Sequence, residues 1–277
     1  QQTHSSIPPL DGDVMKEISP DKKLNLLFSL LAIAVMWGAW LIAYAVIGNE
    51  YILPSFWDTV KQMWVLFGES FFWLSLGSTF LRALEGWLFA YLFALVFAAL
   101  SAVSEKARCF LSTFVAVMRT IPTLAITLML LLWSTPHFTP VIVTFLMLFP
   151  VSYAQMMSAY RSIDPKLSEM AEVYGISRRD RIFRIYIPQM LPSLFSQAGP
   201  NLSLSLKVAV SAEVLAFTYV AIGGMLKEAN SYLQISRMFA LTLCVLILGG
   251  LVEFALGFLP RISDRWMKGR AKKEGRK

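Results

Sequence analysis

Six stretches of this chain are apolar for long enough to cross a bilayer: about 24–47, 79–103, 110–133, 138–158, 194–220 and 238–259. A membrane helix needs ~20 consecutive, predominantly apolar residues, and in lipid every backbone polar group must find its partner inside the protein. These runs therefore predict an all-α integral membrane protein with six transmembrane helices. Composition agrees. Of 277 residues 56% are hydrophobic and 16% charged, less charge than a soluble domain of this size carries. The first run is too long for the core of a cleavable signal peptide, and no clear small-residue cleavage site follows it.

The orientation follows from Lys and Arg, which favour the cytoplasmic side. With the N-terminus inside, the inner segments hold nineteen of them and the outer segments three, Lys61, Lys227 and Arg237. Both termini and the 159–193 loop are thus expected in the cytoplasm. The net charge of +7 is accounted for by membrane edges, so nucleic-acid binding is not needed to explain it. The basic tail, 261–277, suits anionic lipid headgroups. Residues 1–23 are polar, with Pro8 and Pro9, and read as a flexible cytoplasmic arm.

The region 24–78 combines the first span with an outer interfacial segment, and 79–260 forms the core. In the outer segment Trp57, Val60, Met63, Trp64 and Phe67 recur at helical spacing after Pro54 and Ser55. This suits a helix lying along the membrane surface. A plain loop with aromatic anchors is the alternative.

The chain carries no recognisable catalytic constellation. Cys109 and Cys244 suggest no disulfide framework, and His4 and His137 stand far apart without metal-ligand spacing. No Gly-rich phosphate loop is present. The chain is not read as an enzyme and needs no cofactor of its own. If its work is driven by ATP, the nucleotide and its magnesium belong to another subunit.

One polar, basic segment interrupts the apolar runs: DPKLSEMAEVYGISRRDRIFRIYIPQMLP, from Asp164 to Pro192. Asp164 can cap a helix whose first residue is Pro165, where a missing N–H costs nothing. Gly175 fits the position just past the helix end. Ser177 and Asp180 resemble a capping box opening a second helix, which Pro188 and Pro192 are expected to end. The first helix would be about 15 Å long, a knob too short to span a membrane. An ordinary amphipathic hairpin at the interface is the plainer reading.

Glu169, Ala171, Gly175 and Pro188 resemble the EAA loop of ABC-importer permeases: Glu-x-Ala, three residues, Gly, then Pro thirteen positions later. The likeness continues along about 75–270. Ser78 to Arg82 with Gly86, Arg119-Thr120-Ile121-Pro122, Ser162 to Pro165, Ala212-Glu213 with Gly223-Gly224, and Trp266 resemble elements of the nitrate, sulfonate and taurine branch. There are departures. Trp133 is followed by Ser134, Thr135 and Pro136 in place of a glycine-rich turn, position 170 is Met, and Phe93-Ala94-Leu95 replaces glycines usual in the second span. These leave the outer loop and close helix packing open.

The resemblance implies the type I ABC importer permease fold and a place in a bacterial inner membrane. It implies three kinds of protein partner: a cytoplasmic ATP-binding cassette ATPase, an external solute-binding protein and a second permease copy. Glu169, Ala171, Gly175 and Pro188 would mark the ATPase-coupling element. The solute would be a sulfonate, taurine or nitrate-type anion, or in related importers a pyrimidine or thiamine precursor. An ATP-independent secondary transporter is the rival of a different class.

Charged groups within spans remain. A charge at the bilayer centre costs at least ~2.5 kcal/mol, so it faces protein or water. Lys207, Glu213 and Arg119, with Ser211, are candidates to line a translocation path; Arg82 is a weaker one near the outer end. Buried ion pairs or snorkelling are the alternatives. Lys207 and Glu213, six residues apart, need not pair with each other. Ser203 and Ser205 permit close helix approach or line a cavity. Met118, Met129, Met156 and Met157 read as packing. Pro122 should kink or break the third span.

Overall fold

The computed structural model describes residues 22–177 and 180–258. The basic tail and nearly all of the N-terminal arm lie outside these residues, as do Arg178 and Arg179. The chain divides into two compact units, 1–56 and 57–277.

The described part of the first unit is one long helix, α1 (Lys22–Ile47). Its apolar side chains stay uncovered, Ile33, Val35 and Met36 among them, as a helix meant for lipid requires. Gly48 turns the chain at φ +60, and Trp40 Nε1 donates to the Pro54 carbonyl at 3.2 Å. Trp37 and Trp40 both set their edges on Phe56, ring centroids 6.1 Å apart.

The second unit begins within α2 (Phe56–Gly68), which buries Thr59 and Leu66 and leaves Trp57 and Trp64 exposed. The helix expected after Pro54 and Ser55 is present, with both tryptophans exposed. The next helix, α3 (Ser70–Val103), starts nine residues before the predicted second span. Glu69 breaks the chain between α2 and α3 and receives both guanidinium nitrogens of Arg237, at 3.0 and 2.7 Å.

The third predicted span is two helices, α4 (Glu105–Thr120) and α5 (Thr123–Trp133), bent by 92°. Ile121 and Pro122 at the break are extended, at ψ 124 and 126. The residue before a proline avoids the helical region, which explains the break at this place. Then come α6 (Thr139–Arg161) and a short helix, α7 (Pro165–Val173).

The expectation that Pro188 and Pro192 end a second small helix is wrong. Residues Arg181–Tyr186 form a π-helix that runs directly into α8 (Ile187–Ala216), the fifth span. Pro188 sits in the first turn of α8, where the wider π hydrogen-bond pattern gives way to the α pattern, so its missing N–H leaves little unpaired. Pro192 and Pro200 lie inside α8. That helix ends at Phe217, which takes the left-handed conformation at φ 53. Two more helices follow, α9 (Ile222–Ser231) and α10 (Ile235–Leu256).

Judged by length and apolarity alone, α1, α3, α6 and α10 among the described residues suffice to cross a membrane, and the bent α4–α5 pair makes a fifth if its two helices form one broken span. The helix at the remaining predicted span, α8, is long enough, but its serines, Lys207 and Glu213 dilute its apolarity. Every regular element among the described residues is helical.

The core lies where α3, α6 and α8 cross. Gly86, Ala90, Ala94 and Ala98 of α3 recur every fourth residue and are all buried. Small side chains at that spacing let helix backbones approach closely, the main source of helix–helix affinity in lipid. A Cβ at Gly86 would meet the Thr144 Cβ of α6 at 2.6 Å. Further in, Leu148, Phe149, Tyr153 and Met156 of α6 pack on the alanines. Ala94, one of the departures from the family pattern, therefore serves the close packing that glycine would.

Candidate functional site

Three features of the second unit could carry function: a buried polar lock at one end of the bundle, an uncovered polar face on α8, and the α7 knob at the other end.

The lock is centred on Glu213 of α8. Its carboxylate accepts from Arg82 Nη1 of α3 at 2.7 Å, Thr79 Oγ1 at 2.9 Å and the Gly223 N–H at 3.1 Å. Thr79 Oγ1 in turn accepts the Ile222 N–H at 2.9 Å. Arg82 also donates through Nη2 to the Val220 carbonyl at 3.0 Å and faces His137 Nδ1 through Nε at 3.4 Å. Glu213 is fully buried and Arg82 is 4% exposed. Removing two charges from water is costly, and only a fully satisfied network offsets it. Gly223 makes the approach possible, because any Cβ there would run into the Glu213 side chain. Glu213, a candidate for the path wall, is thus enclosed in this structure, in the ion pair that was its alternative reading.

Lys207 and Ser211 lie elsewhere on α8. With Leu204 they form a stripe that stays exposed among the described residues. Together with Thr123 and Thr127 of α5 they line a groove of about 330 Å³. Ser211 Oγ donates to the Lys207 carbonyl at 2.9 Å. Lys207 forms no ion pair among the described residues and does not reach Glu213, as the spacing allowed. Ser203 and Ser205 are buried, with Ser203 against Gly249 of α10, so they serve helix approach. Arg119 ends α4 exposed, and its Nη2 donates to the Pro150 carbonyl of α6 at 2.8 Å.

The α7 knob is closed at both ends. Asp164 accepts the Lys166 N–H at 2.9 Å. At the other end Gly175 takes φ +64, the Ile176 N–H reaches the Ala171 carbonyl at 2.9 Å, and the Gly175 N–H reaches Glu172 at 3.0 Å. This pair of bonds is the Schellman arrangement, and it needs a residue tolerant of positive φ. Ala171 is fully buried, while Glu169 is exposed and Val173 and Tyr174 are 84% and 76% exposed. Ser177 Oγ accepts the Asp180 N–H at 3.1 Å and donates to its carboxylate at 2.7 Å, the expected cap of the helical segment leading to Pro188.

Two features were not anticipated. One is the amide pair Gln155–Asn201, which joins α6 to α8 through bonds of 3.1 and 2.6 Å. Isolated amides inside apolar runs were the available signal. The other is the partnership of Arg82 with Glu213, which spacing along one helix could not reveal.

The bundle of apolar helices, its in-span charges and the projecting capped knob define a multi-pass membrane transport subunit. The chain belongs to the family of binding-protein-dependent transport system inner membrane components, which matches residues 86–268. It is similar to a putative aliphatic sulfonates transport permease protein of Bacillus subtilis (strain 168), 23% identical over 94% of this chain and 95% of that protein. The corresponding Escherichia coli (strain K12) protein is 28% identical, over 78% and 82%. A riboflavin transport system permease protein of Chloroflexus aurantiacus is 27% identical, over 88% and 90%. In fold the chain is similar to an inward-facing methionine ABC transporter, MetNI, with TM-score 0.60 and 17% identity, covering 70% of this chain and 98% of that one.

Proposed function

We propose that this chain is the permease subunit of an ATP-driven importer that carries a small organic anion, a sulfonate or taurine foremost, with nitrate as the inorganic counterpart. An external binding protein delivers the solute, and a separate ATPase supplies the energy. Both termini and α7 lie in the cytoplasm of a bacterial cell, and the basic tail rests on anionic lipid. Two permease copies enclose the path, and the uncovered α8 stripe bearing Lys207 and Ser211 faces it.

The observation that carries this reading is the α7 knob. A helix of nine residues, rigidly capped, exposes Val173 and Tyr174 away from the apolar spans. Exposed apolar side chains on a rigid projection mark a docking surface. ATP binding would close the ATPase dimer, and α7 would pass that motion through the π-helix into α8. Hydrolysis then resets the cycle.

The riboflavin permease favours a second reading of the cargo, a heterocyclic vitamin-like solute in the same importer class. A tagged chain purified in mild detergent should bring down a stoichiometric ATPase, and Gly175→Asp should lose it. A folded chain that elutes alone would instead favour an ATP-independent secondary transporter. The ligand held by the cognate binding protein then decides between anion and heterocycle.

A further inference from the structure

Three guanidinium groups share a groove between α4 and α6. Arg108 and Arg119 come from α4 and Arg161 from the last turn of α6. The groove measures about 280 Å³ and is lined also by Ser112, Tyr153 and Ser158.

The sequence of α4 places two of these groups on one stripe. Arg108, Ser112, Ala116 and Arg119 follow one another at helical spacing and form one stripe. Phe110, Phe114 and Val117 are exposed on another side of the helix. A helix divided in this way turns its polar stripe to protein or water and its apolar side to lipid.

The charges do not cancel. Arg108 contacts Glu105 one turn earlier in its own helix. Arg119 and Arg161 have no acidic partner among the described residues, and no carboxylate lines the groove. The Tyr153 hydroxyl is engaged with Ser101 at 2.8 Å. Arg119 uses one N–H on the Pro150 carbonyl, which holds its guanidinium in place. An arginine has five N–H donors, so most of its donors stay available.

The backbones of Arg108 and Arg119 are separated by about 16 Å along the helix axis at 1.5 Å per residue, so their guanidinium groups enter the groove from its two ends. The groove therefore has two stations. One is Arg119, beside Pro150 halfway along α6. The other is Arg108 with Arg161, where the Ser158 hydroxyl adds a donor; the Ser112 hydroxyl is spent on the Cys109 carbonyl at 3.0 Å.

We infer that this groove is a two-station binding track for a tetrahedral oxyanion, a sulfonate, sulfate or phosphate group. Guanidinium pairs oxyanions through parallel N–H bonds, stronger than neutral hydrogen bonds. The anion comes either from a soluble ion or from the phosphate of an anionic lipid at the inner leaflet. The inference deepens the proposed anion import and takes its inner-side placement from that reading; the binding step does not depend on it.

The test uses the full-length chain. Thermal unfolding is followed in neutral detergent with methanesulfonate, sulfate or phosphate, each against chloride at matched ionic strength. A second arm compares nanodiscs of phosphatidylglycerol with nanodiscs of phosphatidylcholine. Wild type and Lys61→Gln should melt several degrees higher with the bound anion. Arg108→Gln/Arg161→Gln and Arg119→Gln should each lose most of that rise. A rise with soluble anions assigns the soluble source, and a rise only with phosphatidylglycerol assigns the lipid. The track is overturned if neither arm raises the melting point, or if the rise persists in both arginine variants.

Should those variants fail to fold, Ser158→Cys in a Cys109→Ser background keeps every arginine. Its alkylation should slow several-fold in methanesulfonate or in phosphatidylglycerol, and an unchanged rate in both overturns the track. A chain that retains its ATPase yet shows no anion effect loses the track alone. A chain that shows the anion effect without an ATPase loses the importer reading alone.

Discussion

Arg82 and Glu213 meet at 2.7 Å although 131 residues of chain separate them. Their contact joins α3 to α8 beside the start of α9, where Gly223 supplies a third bond. Breaking a buried pair from one side leaves an uncompensated charge, at a cost of about 3–5 kcal/mol. Arg82→Met should therefore lower the melting point in detergent strongly. Arg82→Met/Glu213→Met should recover part of the loss. A double variant no more stable than the single one would show that the pair is not the stabilising unit.

The same logic applies without charge at Gln155 and Asn201. Asn201→Leu leaves the half-buried Gln155 amide without this partner, at a cost of up to about 1–3 kcal/mol. Gln155→Leu/Asn201→Leu should lie close to wild type. Chemical or thermal unfolding of the three variants would measure the coupling between them.

The seam between α3 and α6 can be probed at its tightest point. Gly86→Ala places a Cβ against Thr144, and overpacking of this kind costs about 1–3 kcal/mol. Gly77, in the same helix, has nothing within 4 Å of an added Cβ. Gly77→Ala should be neutral or stabilise by up to ~1 kcal/mol through helix propensity. Equal effects at the two sites would contradict the close crossing.

Gly175 separates local strain from docking. Its surroundings are open, so a side chain there strains the backbone rather than colliding within the chain. Left-handed geometry costs a side-chain-bearing residue roughly 1–2 kcal/mol, with asparagine the most tolerant. Gly175→Asp should abolish uptake while membrane insertion is preserved, and Gly175→Asn should keep more activity. Transport assays on inverted or intact vesicles containing equal amounts of each protein would rank them. Normal uptake by Gly175→Asp would remove α7 from the coupling path.

What the sequence reveals here is mostly local. Asp164, Pro165 and Gly175 announce the α7 caps because each satisfies or spares a backbone bond within a few residues. Pro122 announces the break between α4 and α5 for the same reason. Pro188 and Pro192 mislead, because the π-helix before them absorbs the first defect and tertiary packing holds the helix through the second. The second span's extra turns were hidden because Ser70 to Gly77 mixes aromatic and polar residues like a surface loop. Arg82 and Glu213 were each visible as unusual charges, but their partnership depends on how α3 crosses α8, which periodicity within one helix does not encode.

A π turn is how a helix accommodates one additional residue without disturbing the alignment of its flanks. The segment Arg181–Tyr186 thus gives the chain a tolerance to length that the rest of the fifth span lacks. Deleting one residue there would restore ordinary α geometry and leave Lys207, Ser211 and Glu213 on their present faces. Deleting one inside the regular part of α8 would turn everything on one side of the cut by about 100°, breaking the lock and the exposed stripe together. In terms of sequence change, six residues form a length buffer between the α7 knob and the exposed stripe of α8.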